Sequence, residues 1–400
     1  MTTDERGNTD LMAFAEEGQV EAMRVVLRHA VDPAAMMMLT DRVGWSALMR
    51  AARNAHVDVM RLLLDHPSAD PGAMMMLTGS SGTTALMAAA QAGHVEAMRL
   101  LLDHPSADAA AMMMLSNADG TTALMWAAAN GHVECMGLLL EHPSGDAAAM
   151  MMLAQLNGGT ALMAAAQNGH VGAMRLLLNH PSADAAAMMT LAAKEGSTAL
   201  IVAAKNGHVE AMRLLLDHPS AGPSVMLMLA ANNGETALIV AALSGHADAM
   251  CLLLDHPSAD VAAMMAVHTP AGGSALTSAA QFAAGLSATP SCAPLVLLLR
   301  RVVEEPQPFD DAQRAHMSKV LQVLCTGPRS EEMFTNDAPD GVRDECIRLL
   351  LARGARDFDS NRPALSRIIR EHAQLAGVPH LINEAVVGMA ISWKRPRDGA

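Results

Sequence analysis

Residues 83–120 read TTALMAAAQAGHVEAMRLLLDHPSADAAAMMMLSNADG, and near-copies of this stretch fill most of the chain at a fixed step of 38 residues. The histidines His56, His94, His132, His170, His208 and His246 are each 38 apart, as are the hydroxyl residues Ser46, Thr84, Thr122, Thr160, Thr198, Thr236 and Ser274. A period of this size marks a solenoid, in which each unit buries its apolar face only against its neighbours.

Within one unit, Thr84 precedes Ala85-Leu86-Met87-Ala88-Ala89-Ala90, a segment without a β-branched run, which reads as a helix capped by the threonine. Gly93 breaks it. Val95, Met98, Leu101 and Leu102 then recur at helical spacing through a second helix, which stops near His104 because Pro105 cannot continue it. Alanines in the first helix and leucines in the second let the two backbones sit about 8 to 10 Å apart. The next stretch opens with Asp32-Pro33 and Asp70-Pro71 in two of the copies, an N-cap acid followed by a first-turn proline ahead of Ala and Met. A short third helix of about one to two turns is therefore expected, dependent on packing because isolated turns are marginal.

TALMxAAxxGHVEAMRLLL resembles the ankyrin-repeat family, whose pattern runs TPLHxAAxxGHxxxVxxLLLxxGAD. The likeness recurs unit after unit and returns as CIRLLLARGARD at Cys346–Asp357. Three departures stand out. Ala replaces the family's proline and Met its histidine in the first helix, and each unit is longer than the family's usual length of about 33, with DHPSADAAAMMML where a hairpin finger is expected. The resemblance implies an all-α, ankyrin-type helical solenoid, here with a short third helix in place of the hairpin finger and irregular C-terminal repeats. It also implies a partner protein held on the concave face, which the first helix and its preceding loop line.

The 400 residues are 51% apolar yet only 2% aromatic, with no tyrosine, so small and flexible side chains must fill the core. The net charge of −14 arises before residue 271: 12 basic and 26 acidic side chains stand there, against 15 of each afterwards. An acidic array repels phosphate backbones, which disfavours nucleic acid as a direct partner and favours basic or mixed protein surfaces. The five cysteines are scattered without a CxxC pair, as expected of reduced thiols in the cytoplasm. The polar start MTTDERGNTD lacks the pattern of a signal peptide, and no apolar run approaches the roughly 18 residues of a membrane span. A monomer is expected.

In chain order, 1–8 reads as a disordered lead and 9–267 as seven repeats, the first divergent and polar at Glu16 and Glu17 as a solenoid cap requires. Residues 268–391 read as degenerate repeats with insertions and a helical C-terminal cap. An insert with Pro290, Ser291, Cys292 and Pro294 is a candidate contact loop, EEPQPFDD at 304–311 a break, 312–324 a helix, and 362–372 with 380–389 a closing helix pair. The tail 392–400 carries the basic cluster Lys394-Arg395-Pro396-Arg397, a solvated tail or a weak nuclear-import signal.

Two histidine ladders, His56 to His246 and His66, His104, His142, His180, His218, His256, invite a metal reading. Equivalent residues of neighbouring units stand about 10 Å apart, whereas zinc ligands bond at about 2 Å, so structural tethers or helix-dipole partners are expected instead. The triplets Met36–Met38, Met74–Met76, Met112–Met114 and Met150–Met152 could offer thioethers to Cu(I), or fill core gaps and leave some sulfurs at a surface. His104, Ser106 and Asp108 recur as HPSAD in nearly every unit, which is turn and cap chemistry. No nucleophile, phosphate loop or cofactor motif is singled out, so neither an enzyme nor a cofactor is expected.

Positions that differ between copies are free for recognition. One first-helix column holds Arg50, Ala88, Trp126, Ala164, Val202 and Val240, another Arg53, Gln91, Ala129, Gln167, Lys205 and Leu243; Arg42 and Trp45 stand in the loop ahead. Trp and Arg are frequent interface hot spots. The expected function is a non-enzymatic interaction scaffold whose partner-binding residues are Arg42, Trp45, Arg50, Arg53, Gln91, Trp126, Gln167 and Lys205. Replacing Arg50 and Trp126 is expected to weaken binding at unchanged thermal stability. The alternatives are an adaptor whose C-terminal segment docks a second complex such as a ubiquitin ligase, and a Met/His-rich metal-binding protein.

Overall fold

The computed structural model describes residues 9–281 together with Leu298. Among the described residues there are helices and isolated bridges but no strand. The lead, the contact loop, the break, the later helices, the CIRLLLARGARD stretch and the basic tail lie outside the described residues. Contacts divide the chain into two compact units, one running to Ala203 and including Glu210–Met226, the other starting at Leu227 and including Ala204–Val209.

First helices occupy Asp10–Glu17, Ala47–Arg53, Ala85–Ala92, Ala123–Ala129, Ala161–Gln167, Ala199–Lys205, Ala237–Ser244 and Ala275–Gln281. From Ala47 onward their starts are 38 residues apart. Each begins where a hydroxyl turns inward: Thr84 Oγ1 accepts from the Met87 N–H at 3.3 Å, and Thr122 and Thr160 repeat the bond at the same distance. Second helices, such as Val57–Leu64, Val95–Leu102 and Val133–Leu140, follow after a one-turn break. Third helices of five or six residues stand at Pro33–Met37, Pro71–Met76, Ala109–Met114, Ala147–Met152 and Ala185–Thr190, with Pro223–Met228 and Val261–Ala266 beyond. Their caps are the predicted aspartates: Asp32, Asp70, Asp108 and Asp146 each accept from the backbone N–H three residues on at 3.0 Å.

Within the first unit the first helices pack side by side in series, and so do the second helices. Pro71–Met76 bridges the second helix of its own repeat to the first helix of the next, and Ala147–Met152 does the same. The core is what the composition requires. Ala85, Ala88, Ala89 and Ala90 are wholly buried, as are Met98 and Leu101, while Met74 and Met75 seal the third layer.

The loop read ahead of the first helices is a tight one joining each third helix to the next first helix, with bonds not anticipated from the sequence. Asn117 N–H donates to Thr121 O at 3.0 Å and Gly120 N–H to Asn117 O at 2.9 Å, and Ser116 and Thr122 form an isolated bridge at its base. Successive loop tips are bonded to each other. Ser80 N–H reaches Val43 O at 3.1 Å, Ala118 N–H reaches Ser81 O at 2.7 Å, and Leu156 and Lys194 N–H reach Asp119 and Asn157 O at 2.8 Å. Gly120, at φ 82°, is needed twice over, since a Cβ there would also stand 2.9 Å from Gln155 Cα.

Candidate functional site

The residues that differ between repeats sit on the first helices and the loops ahead of them, and the structure sorts them by accessibility. In the first column Ala88 is buried, whereas Arg50, Trp126 and Ala164 are half-buried. The second column is the outer one: Arg53, Gln91 and Gln167 are exposed. Lys205, which falls in the second unit, is exposed at the corresponding helix position. Columns three residues apart share one helix face, so the two together form one strip.

At the N-terminal end of that strip the loop Asp41–Trp45 is held from within. Asp41, with its side chain 2% exposed, accepts at Oδ1 from the backbone N–H of Val43 at 2.9 Å and of Trp45 at 2.8 Å, and its Oδ2 takes the Arg50 guanidinium at 2.5 Å. Arg50 also pairs with Glu16 of the first repeat. Trp45, fixed by this clamp, carries the guanidinium of Arg53 over its ring, 5.3 Å from the centroid. Arg42 is exposed on the same loop.

The expectation for Arg50 needs correcting. Its guanidinium joins a buried carboxylate to the first repeat, so its removal cannot leave stability untouched. Trp126 is half-buried and also contributes packing. Asp41 was not singled out in the sequence, and Glu16 only as a polar cap position, although for Asp41 a signal was there: Asp41 and Asn117 share an acid-or-amide-x-x-Gly pattern, and both carry the same side-chain-to-backbone bonds.

The histidine ladders have defined partners. His56 Nε2 lies 3.0 Å from Glu16 O, His94 Nε2 2.9 Å from Arg53 O and His132 Nε2 3.1 Å from Gln91 O, each reaching back to the first helix of the preceding repeat. In the second ladder His104 Nδ1 accepts from Ser106 N–H at 3.1 Å and His142 Nδ1 from Ser144 N–H at 3.2 Å. An accepting nitrogen carries no proton, so the ring proton sits on Nε2, which faces Asp65 at 4.0 Å in His104 and Asp103 at 3.6 Å in His142. This is a turn-closing role, where the sequence suggested interaction with the helix dipole.

A series of capped helix pairs, tied through loops and histidines, with differing side chains along the first-helix strip, defines a helical repeat protein of the interaction-scaffold class. A family model for ankyrin repeats in three copies matches residues 1–75, 69–150, 146–221 and 186–265. The chain belongs to the ankyrin-repeat family. No curated protein matches it by sequence. Among the described residues no helix is long and apolar enough to cross a membrane.

Proposed function

We propose that this protein is a non-enzymatic scaffold that holds a partner protein on the strip formed by its first helices and the loops ahead of them, the concave side in the ankyrin manner. The observation that carries the reading is the Arg53–Trp45 stack, an amphipathic pair formed between the end of a first helix and a loop that Asp41 and Arg50 lock in place. Preorganised aromatic and guanidinium groups bind with little loss of side-chain freedom. Trp126, Gln91 and Gln167 continue the strip within the first unit, and Lys205 offers the same kind of contact in the second. Nucleic acid is disfavoured by the net charge of −14.

Partners captured by the full chain should lose about tenfold in affinity with Arg53→Ala or Trp126→Ala, as hot-spot truncations do. Arg53 is exposed, so its variant should melt like the wild type. Arg50→Ala should lower stability by about 2 kcal/mol, because the buried Asp41 carboxylate loses a charged partner. Affinity unchanged by both Arg53→Ala and Trp126→Ala rejects the strip as the binding face. The adaptor reading draws on the charge division between the two parts of the chain; a second complex that co-purifies with a strip-deficient variant would support it.

A further inference from the structure

The methionine triplets are the repeated feature that the binding strip does not use, and burial divides them in one way. Met74 and Met75 are 2% and 0% exposed, Met112 and Met113 2% and 1%, and Met150 and Met151 1% each, whereas Met114 and Met152 stand at 39% and 40%. Met228, at the same place in its own third helix, is 39% exposed, and Met38 and Met76 are half-buried. Packing does not demand a thioether at this position. Thr190 occupies it in one repeat, where its hydroxyl donates to Ala186 O at 2.9 Å and the helix closes as in the others.

We infer that Met114, Met152 and Met228 are sites of reversible oxidation, which take one oxygen atom from hydrogen peroxide while the sealed methionines behind them stay reduced. The sulfur lone pair attacks one peroxide oxygen, so that an S–O bond forms and the O–O bond breaks. Sulfur gives up two electrons, and the other oxygen leaves as water after a proton shift. Return needs two thiol groups of a sulfoxide reductase, which become a disulfide as the oxygen departs as water.

Exposure decides both reactivity and tolerance. A sulfoxide is a strong acceptor: at Met113 or Met151 it would be sealed from water, which disfavours it. At the outer end of the helix water supplies the donor. Oxidation therefore turns this edge of the repeats from apolar to polar while the stack stays folded.

The test is a time course of the full-length protein in hydrogen peroxide, followed residue by residue by peptide mass spectrometry with circular dichroism in parallel. Sulfoxide should form about tenfold or more faster at Met114, Met152 and Met228 than at Met75, Met113 and Met151, in line with their accessibility. Helical signal should be retained, and a mixture of both epimer-specific sulfoxide reductases with dithiothreitol should restore the mass. Similar rates at sealed and outer positions, uptake only in step with lost helix, or sulfoxides the reductases cannot remove would overturn the assignment. The double variant Met114→Thr/Met152→Thr, which copies Thr190, should melt like the wild type and lack uptake in those two helices. A melting loss typical of a core substitution would show instead that these side chains are packing groups.

Discussion

Gly18, Gly93 and Gly131 each end a first helix with φ between 71° and 80°, and the histidine ring of the following repeat lies so close that a Cβ would meet it at 2.6 to 2.7 Å. Ala55 holds this place in the second repeat with φ 58°. A left-handed residue with a Cβ costs roughly 1 to 2 kcal/mol, while glycine gives back roughly 0.4 to 1 kcal/mol through the looser unfolded chain. Ala55→Gly should thus gain about 0.5 kcal/mol in urea unfolding, and a loss would show that the turn has relaxed around alanine. Cys135 is buried, and desolvation, with Glu134 adding to it, pushes its thiol from 9.0 up to about 11. A raised folded pKa means that its contribution is complete below about 9 and is lost as pH climbs towards about 11, up to about 3 kcal/mol. Cys135→Ala should remove that part of the alkaline slope. The chain has no tyrosine to obscure the measurement.

At the scale of the element, helices of five to ten residues are too short to stand alone, so each is the product of a cap and a buried face. The third helix shows both parts: an aspartate satisfies an orphan N–H at its start, and two methionines leave water below it. Leu101, wholly buried in the second helix between neighbouring repeats, should cost about 2 to 5 kcal/mol when truncated to alanine, and a melting curve like the wild type's would contradict the packing described. The helices were legible because their caps and breakers are local. Thr84, Gly93, Pro105 and Asp70-Pro71 mark starts and stops without reference to anything distant. The tight loop was harder to see, since its bonds are made by backbone groups and its glycine is shared by many turns.

For the molecule as a whole, the first unit is coupled from repeat to repeat by three ties, namely packed helices, histidine bonds and loop-tip hydrogen bonds. Stability in such an array is a sum of repeat and nearest-neighbour contributions. A change at one junction should therefore loosen cooperativity as well as lower stability. Gly120→Ala strains a left-handed residue and drives a Cβ into the next loop at Gln155 and Leu156. It should lower the midpoint of urea unfolding and also reduce the slope of the transition, as the two sides of the junction begin to unfold separately. An unchanged slope would mean that the helix layers alone carry the coupling. The excess of acidic groups before residue 271 acts at this scale too, as a field that salt screens.

By itself the sequence determined the repeat, the three helices of each unit, their caps and the family, because periodicity and capping are written in residues a few positions apart. It also marked the strip where copies differ. Only the tertiary structure decided which of those side chains remain available. Arg50 is drawn into a buried pair with Asp41 and on to Glu16, Arg53 is laid over Trp45, and the methionine triplets divide into sealed and outer sulfurs. Ion pairing and burial depend on groups brought together from different repeats, and the spacing of residues along one repeat carries no record of them.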